Sequence, residues 1–136
     1  MWYLDSGCSR HMTGDVKQFS SLAAIDGGNV TFGDNGKGKI VGIGKIHITP
    51  NAYVDNVLFV DGLKHNLFSI SQFCDKGFKV IFESSLCMVS SLDVDGIKFT
   101  GLRHGNIYMV DLDDLPVQND QCLVAMEAKI NETSWL

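Results

Sequence analysis

The stretch with the clearest chemical content is Trp2-Tyr3-Leu4-Asp5-Ser6-Gly7, an apolar run that breaks into an acid, a small hydroxyl and a glycine. Bulky aromatic and aliphatic residues favour a buried strand, and Ser-Gly after it allows a tight turn that presents the carboxylate. One Asp alone is ordinary, and Asp-Ser-Gly is also a common turn tripeptide. It becomes a catalyst when a second carboxylate is held about 3 Å away, because two like charges that close cannot both ionise and must share a proton. The ionised member then takes a proton from a trapped water, while the protonated member donates to a peptide carbonyl oxygen. A tetrahedral gem-diol forms without a covalent enzyme intermediate. In that chemistry Asp5 is the catalytic group, Gly7 lets the backbone turn close beside it, and the Ser6 hydroxyl can tie the loop to a symmetry mate.

The surrounding residues extend the pattern. The whole stretch from Trp2 to Asp15 closely resembles the protease segment of copia-type LTR retrotransposon Gag-Pol polyproteins, which belong to the retropepsin-like aspartic proteases. Asn56 to Val60, Asn66 to Gln72 and Gly101 to Tyr108 are similar to later blocks of that family and come in the same order. The resemblance implies an all-β, retropepsin-like closed barrel with a flap hairpin and one short core helix. It implies an aspartic endopeptidase that cleaves its own polyprotein as a homodimer, in the cytoplasm within a virus-like particle, without cofactor or metal. Asp5, Ser6 and Gly7 are then the catalytic loop. Phe32, Gly33 and Asp34 are the substrate-binding flap residues, since Val30-Thr31-Phe32-Gly33-Asp34 looks like the Tyr-Gly flap segment of the pepsins. Phe32 stands where their tyrosine sits, so it can pack on substrate but cannot donate the tyrosine's hydrogen bond. The family's apolar-apolar-Gly segment ahead of the core helix is matched by Leu67-Phe68-Ser69, with serine in place of glycine.

With 136 residues the chain is one domain's worth, too small for two catalytic lobes of ordinary size. Asp-Ser-Gly occurs once, at Asp5, and Asp-Thr-Gly does not occur, so the second carboxylate is expected from another copy. A net charge of −5, with eleven scattered Lys and Arg, argues against a nucleic-acid surface. No apolar run is long enough to span a membrane as a helix, and the four cysteines are widely spaced, which suits reduced thiols inside the cell. Cys8 and His11 have Cys-x2-His spacing, but no second close pair follows to complete a zinc site. His11 could carry a proton near neutrality, although the aspartic mechanism needs no imidazole and a structural or surface role is preferred.

The elements that must position Asp5 follow in order. His11 to Gly28 lacks sustained period and reads as a loop-rich connection. Asn29 to Gly33, a tip at Asp34 to Gly38 and Lys39 to Ile48 read as a glycine-rich hairpin able to serve as a lid. Val57-Leu58-Phe59-Val60 suits a strand buried on both faces beneath the catalytic loop. Asn66 as N-cap, Leu67, Ile70 and Cys74 at helical spacing, and Lys76-Gly77 at the end predict one helix. Phe78 to Phe82 and Leu86 to Val89 predict a hairpin turning at Glu83-Ser84-Ser85, and Ile97 to Phe99 with Ile107 to Val110 a further strand pair. Leu123, Met126 and Ile130 suggest an amphipathic helix over Gln121 to Ile130. The expected division is a protease core over 1–92 and a C-terminal pre-integrase linker over 93–136. Two rival readings are a non-catalytic dimerisation or peptide-binding module with this fold, and a small Cys/His metal domain.

Overall fold

The computed structural model describes residues 1–32, 36–50, 52–91 and 98–114. Eleven strands and one helix follow one another among them: β1 (Trp2–Asp5), β2 (Met12–Thr13), β3 (Phe19–Ala24), β4 (Asn29–Phe32), β5 (Gly36–Thr49), β6 (Ala52–Asp61), β7 (Asn66–Ser69), α1 (Ile70–Asp75), β8 (Phe78–Phe82), β9 (Leu86–Ser91), β10 (Lys98–His104) and β11 (Ile107–Val110). Short 3₁₀ turns lie at Val16–Gln18 and Leu112–Asp114. The all-β architecture with one short helix is the one expected.

The strands form one sheet in the order β3-β5-β6-β2-β7-β1-β11-β10-β9-β8, with β4 also on β5. The expected barrel closure is absent: among the described residues no pairing joins β3 to β8, and the sheet stays open. The physical reason lies at the β3 edge, where every residue from Ser20 to Ala24 is exposed and, among the described residues, no strand pairs with the side away from β5. The same exposure explains why β3 reads as loop in sequence. Phe-Ser-Ser-Leu-Ala-Ala has no buried face to impose a period, and its backbone is extended because it pairs with β5 from Phe19↔Ile46 to Ala24↔Gly42.

Strand β1 lies inside the sheet, parallel to β7 through Tyr3↔Leu67 and Asp5↔Ser69, and antiparallel to β11 through Tyr3↔Met109 and Leu4↔Tyr108. Its residues alternate, with Trp2 and Leu4 buried and Tyr3 and Asp5 half-buried on the other face. Trp2 stacks on Phe68 with ring centroids 4.3 Å apart, and Phe68, Phe73 and Phe99 complete an aromatic cluster behind the strand. Each such side chain contributes about 1.5–3 kcal/mol through burial, so β1 is anchored by the bulkiest part of the core. The Val57–Val60 run is buried on both faces as its composition requires. Val57 enters the aromatic cluster, whereas Leu58 and Val60 enter a second one with Met12 and Leu63.

The hairpins β4–β5 and β8–β9 form as alternation predicts, with registers Asn29↔Lys39 and Phe82↔Cys87, but Gly36 to Gly38, expected in the β4–β5 tip, are strand residues paired with Val30 to Phe32. The tip residues Gly33 and Asp34 and the Gln121 to Ile130 segment lie outside the described residues. The helix is shorter than its spacing suggests. Asn66 to Ser69 is strand, and the N-cap is Ser69, not Asn66. Pairing with β1 holds these four residues extended, and the helix begins only where that pairing ends. The expected division at 92/93 falls between β9 and β10, which pair antiparallel from Lys98↔Ser90 to Leu102↔Leu86, while β11 joins β1 in the same sheet.

Candidate functional site

Asp5 ends β1, and its Oδ1 accepts a hydrogen bond from the Gly7 N–H at 2.7 Å. A Cβ at position 7 would stand 3.2 Å from that same oxygen, so glycine gives the turn room to close against the carboxylate. Asp5 opens onto a cleft of about 490 Å³. Tyr3, Leu4 and Ser6 line it beside Asp5, His65 and Leu67 form one wall, and Asn106 with Ile107 form the other. That volume lies within the usual range for a ligand site. Asp5 is the one carboxylate among these lining residues.

The loop from Asp5 to His11 is fastened to the start of α1 by a buried hydrogen-bond network. Ser69-Ile70-Ser71-Gln72 has the sequence of a capping box, in which the first hydroxyl accepts from the fourth N–H and the fourth side chain returns to the first N–H. The first arm is present, with Gln72 N–H donating to Ser69 Oγ at 3.1 Å. The second arm is rerouted. The Ser69 N–H donates instead to His11 Nδ1 at 2.9 Å. Gln72 Oε1 accepts from the His11 N–H at 2.7 Å, and Gln72 Nε2 donates to the Asn56 carbonyl at 3.1 Å. Asn56 adopts a left-handed φ of 56°, which Asn tolerates better than most residues, and its carbonyl also accepts from Arg10 at 3.5 Å. Ser69 Oγ donates to the Cys8 carbonyl at 2.7 Å, which pins the middle of the loop.

The Ser69 hydroxyl therefore has three partners that a glycine would lack, the Gln72 N–H, the Cys8 carbonyl and Ser71 Oγ at 3.1 Å. Ser69→Ala is expected to cost about 2–3 kcal/mol, from a lost N-cap and an unpaired Cys8 carbonyl. Urea unfolding measures it, and a change below about 0.5 kcal/mol would remove the network from the account of loop rigidity.

His11 is buried at 2 % exposure, and burial, reinforced by the adjacent Arg10 charge, pushes its imidazole down to about 3. It is neutral at physiological pH, with Nδ1 occupied as an acceptor. The role is structural, as preferred from sequence. Cys8 is pushed up to about 11 by burial and by the nearby Asp5 carboxylate, so at neutral pH it is a thiol with little nucleophilic character. Among the described residues no group of three His, Cys, Asp or Glu side chains is close enough to hold a metal ion.

The structure thus sets Asp5 and Ser6 in one cleft, with Gly7 in the turn that follows, donating to the Asp5 carboxylate. Phe32 is on β4, and Gly33 and Asp34 lie outside the described residues. Sequence reasoning gave no site role to His65, Asn106 or Ile107, although the last two fall in the Gly101 to Tyr108 block, and it missed the rerouted capping box, of which Ser-x-x-Gln was a legible trace.

An open β-sheet domain with an Asp-Ser-Gly loop locked at the end of a central strand is the class that fold and site define. The family model described as "Pol polyprotein, beta-barrel domain" matches residues 2–78, more than half of the chain, and the chain belongs to that family. It is accordingly part of a Pol polyprotein of the retrotransposon or retroviral kind. No curated protein and no solved structure matches it. Strands β9 to β11, including the Asn106–Ile107 wall of the cleft, lie beyond the matched stretch.

Proposed function

We propose that this domain is the aspartic endopeptidase of a copia-type retrotransposon Pol polyprotein, active as a homodimer on its own polyprotein. The observation that carries the reading is Asp5, held at the end of a buried strand by the Gly7 N–H and facing a cleft large enough for a peptide. Asp5 and its mate from a second copy share one proton and activate a water, with Ser6 and Gly7 shaping the loop. Substrate lies extended in the cleft, and the β4–β5 hairpin acts as a lid with Phe32, Gly33 and Asp34 against the peptide. The setting is the cytoplasm, within a virus-like particle.

Because the cleft contributes one carboxylate, turnover requires association. Specific activity on a peptide spanning a polyprotein junction is expected to fall on dilution through the dimer dissociation range, and to survive EDTA and thiol-blocking reagents. The pH profile at high concentration is expected to be bell-shaped, bounded by two macroscopic steps that belong to the pair. Sedimentation and activity measured on the same samples check this. Activity that is independent of concentration in a protein that stays monomeric would exclude the shared pair. The single carboxylate also favours a second reading, a peptide-binding module without turnover, which would bind such peptides and leave them intact at every concentration.

A further inference from the structure

We propose that the β10–β11 corner, Asn106 and Ile107, is a specificity-determining wall of the Asp5 cleft that seats a large aliphatic or aromatic substrate side chain. The inference rests on the reading of the cleft as the site of peptide cleavage. It assigns a role there to a segment outside the matched family stretch.

Three observations carry it. First, the antiparallel register runs Trp2↔Val110, Tyr3↔Met109, Leu4↔Tyr108, so one further step along the ladder sets Ile107 beside Asp5. Cross-strand neighbours project to the same face, and both residues line the same cleft. Second, Ile107 is 45 % exposed, and with Leu67 and Tyr3 it offers the cleft an apolar surface whose covering is favourable. The polar groups beside it, the Asn106 amide and the His65 imidazole, suit the backbone of an extended chain. Third, the corner is held rigid. Gly105 takes φ 62° at the first central position of a two-residue turn, the type II′ pattern. Arg103 Nε donates to the Gly105 carbonyl at 2.8 Å, and its Nη1 donates to the Ser84 carbonyl at 3.2 Å. The Tyr108 hydroxyl donates to the Glu83 carbonyl, which braces β11 against the β8–β9 turn. A wall fixed in this way can discriminate by shape.

The test compares kcat/KM for two peptides that differ by Leu or Ala at the residue beside the cleaved bond. In the wild type Leu is preferred. Ile107→Ala is expected to reduce that preference about tenfold, and Ile107→Phe to shift it toward the smaller side chain. Leu102→Ala, at an exposed position of the neighbouring strand β10 and outside the cleft, is the control and leaves the preference unchanged. An unaltered preference in both Ile107 variants overturns the proposal while peptide cleavage stands. A parallel measurement follows the backbone amides of the Asp5→Asn variant by NMR during titration with the Leu peptide. Shifts at Asn106 and Ile107 in a protein whose wild type does not cleave would retain the wall as a binding surface and discard the protease reading. Shifts confined to other strands, or no binding at all, would discard the wall.

Discussion

Replacing Asp5 by Asn is expected to lower peptide cleavage by two to four orders of magnitude while leaving the fold intact. Proton transfer by a positioned acid or base contributes about 10²–10⁴-fold, and the amide can neither accept the proton from water nor share one with its mate. The fold is spared because the hydrogen bond made by the carboxylate among the described residues, from the Gly7 N–H, is one that an Asn oxygen also accepts. Thermal stability should change by no more than about 0.5 kcal/mol, as for substitutions that break no buried network. Peptide cleavage and a melting curve on the same preparation check both halves. Wild-type turnover in the variant would place the chemistry elsewhere. Cys8 is a poor candidate for it, with its thiol pushed up to about 11.

The second large effect concerns stability and is independent of any catalytic reading. In His11→Leu the buried Ser69 N–H loses its acceptor, and the ring contacts of His11 with Phe68 and Phe73 are replaced by looser packing. A cost of about 2–4 kcal/mol is expected. His11 also makes stability depend on pH. Its folded-state value lies near 3, below the ordinary 6.5, so the unfolded chain takes up the proton first. The stabilisation is complete above pH 6.5 and is lost as pH falls toward about 3, at roughly 1.4 kcal/mol for each unit. Protonation would also convert Nδ1 from acceptor to donor and set it against the Ser69 N–H. Asp15 is held below the usual carboxylate range by hydrogen bonds from Gln18 and Lys17, so its contribution is lost at lower pH than the upper part of this window. His11→Asn is the informative companion, since its Oδ1 can replace Nδ1 as acceptor without titrating. It should be more stable than His11→Leu, and neither variant should show the wild-type slope between pH 6.5 and 4.5. Urea midpoints at pH 7 and 4.5 measure the difference, and a wild type equally stable at both would contradict a buried neutral imidazole.

What the chain reveals by itself is whatever a short window can encode. Asp5-Ser6-Gly7 after an apolar run announces a presented carboxylate. The alternation and turn residues of 29–49 and 78–91 specify hairpins, and Val57 to Val60 declares a strand buried on both faces. These features are local because the strand period, turn chemistry and burial of neighbouring residues all lie within about ten positions of one another. The tertiary structure decided the rest. Asn66 to Ser69 carries helical spacing but is extended, because four pairs with β1, more than sixty residues away in sequence, outweigh a weak propensity. The exposed β3 has no face to bury and gains its strand only from β5, and among the described residues no strand pairs with its other edge, so the barrel stays open. His11 becomes the missing arm of a capping box only when the loop folds onto α1. Asn106 and Ile107 meet Asp5 only because β11 returns to pair with β1, about a hundred residues further along the chain. Such contacts are set by collective packing and by the need of every buried N–H and carbonyl for a partner, and neither is written in the spacing of nearby residues.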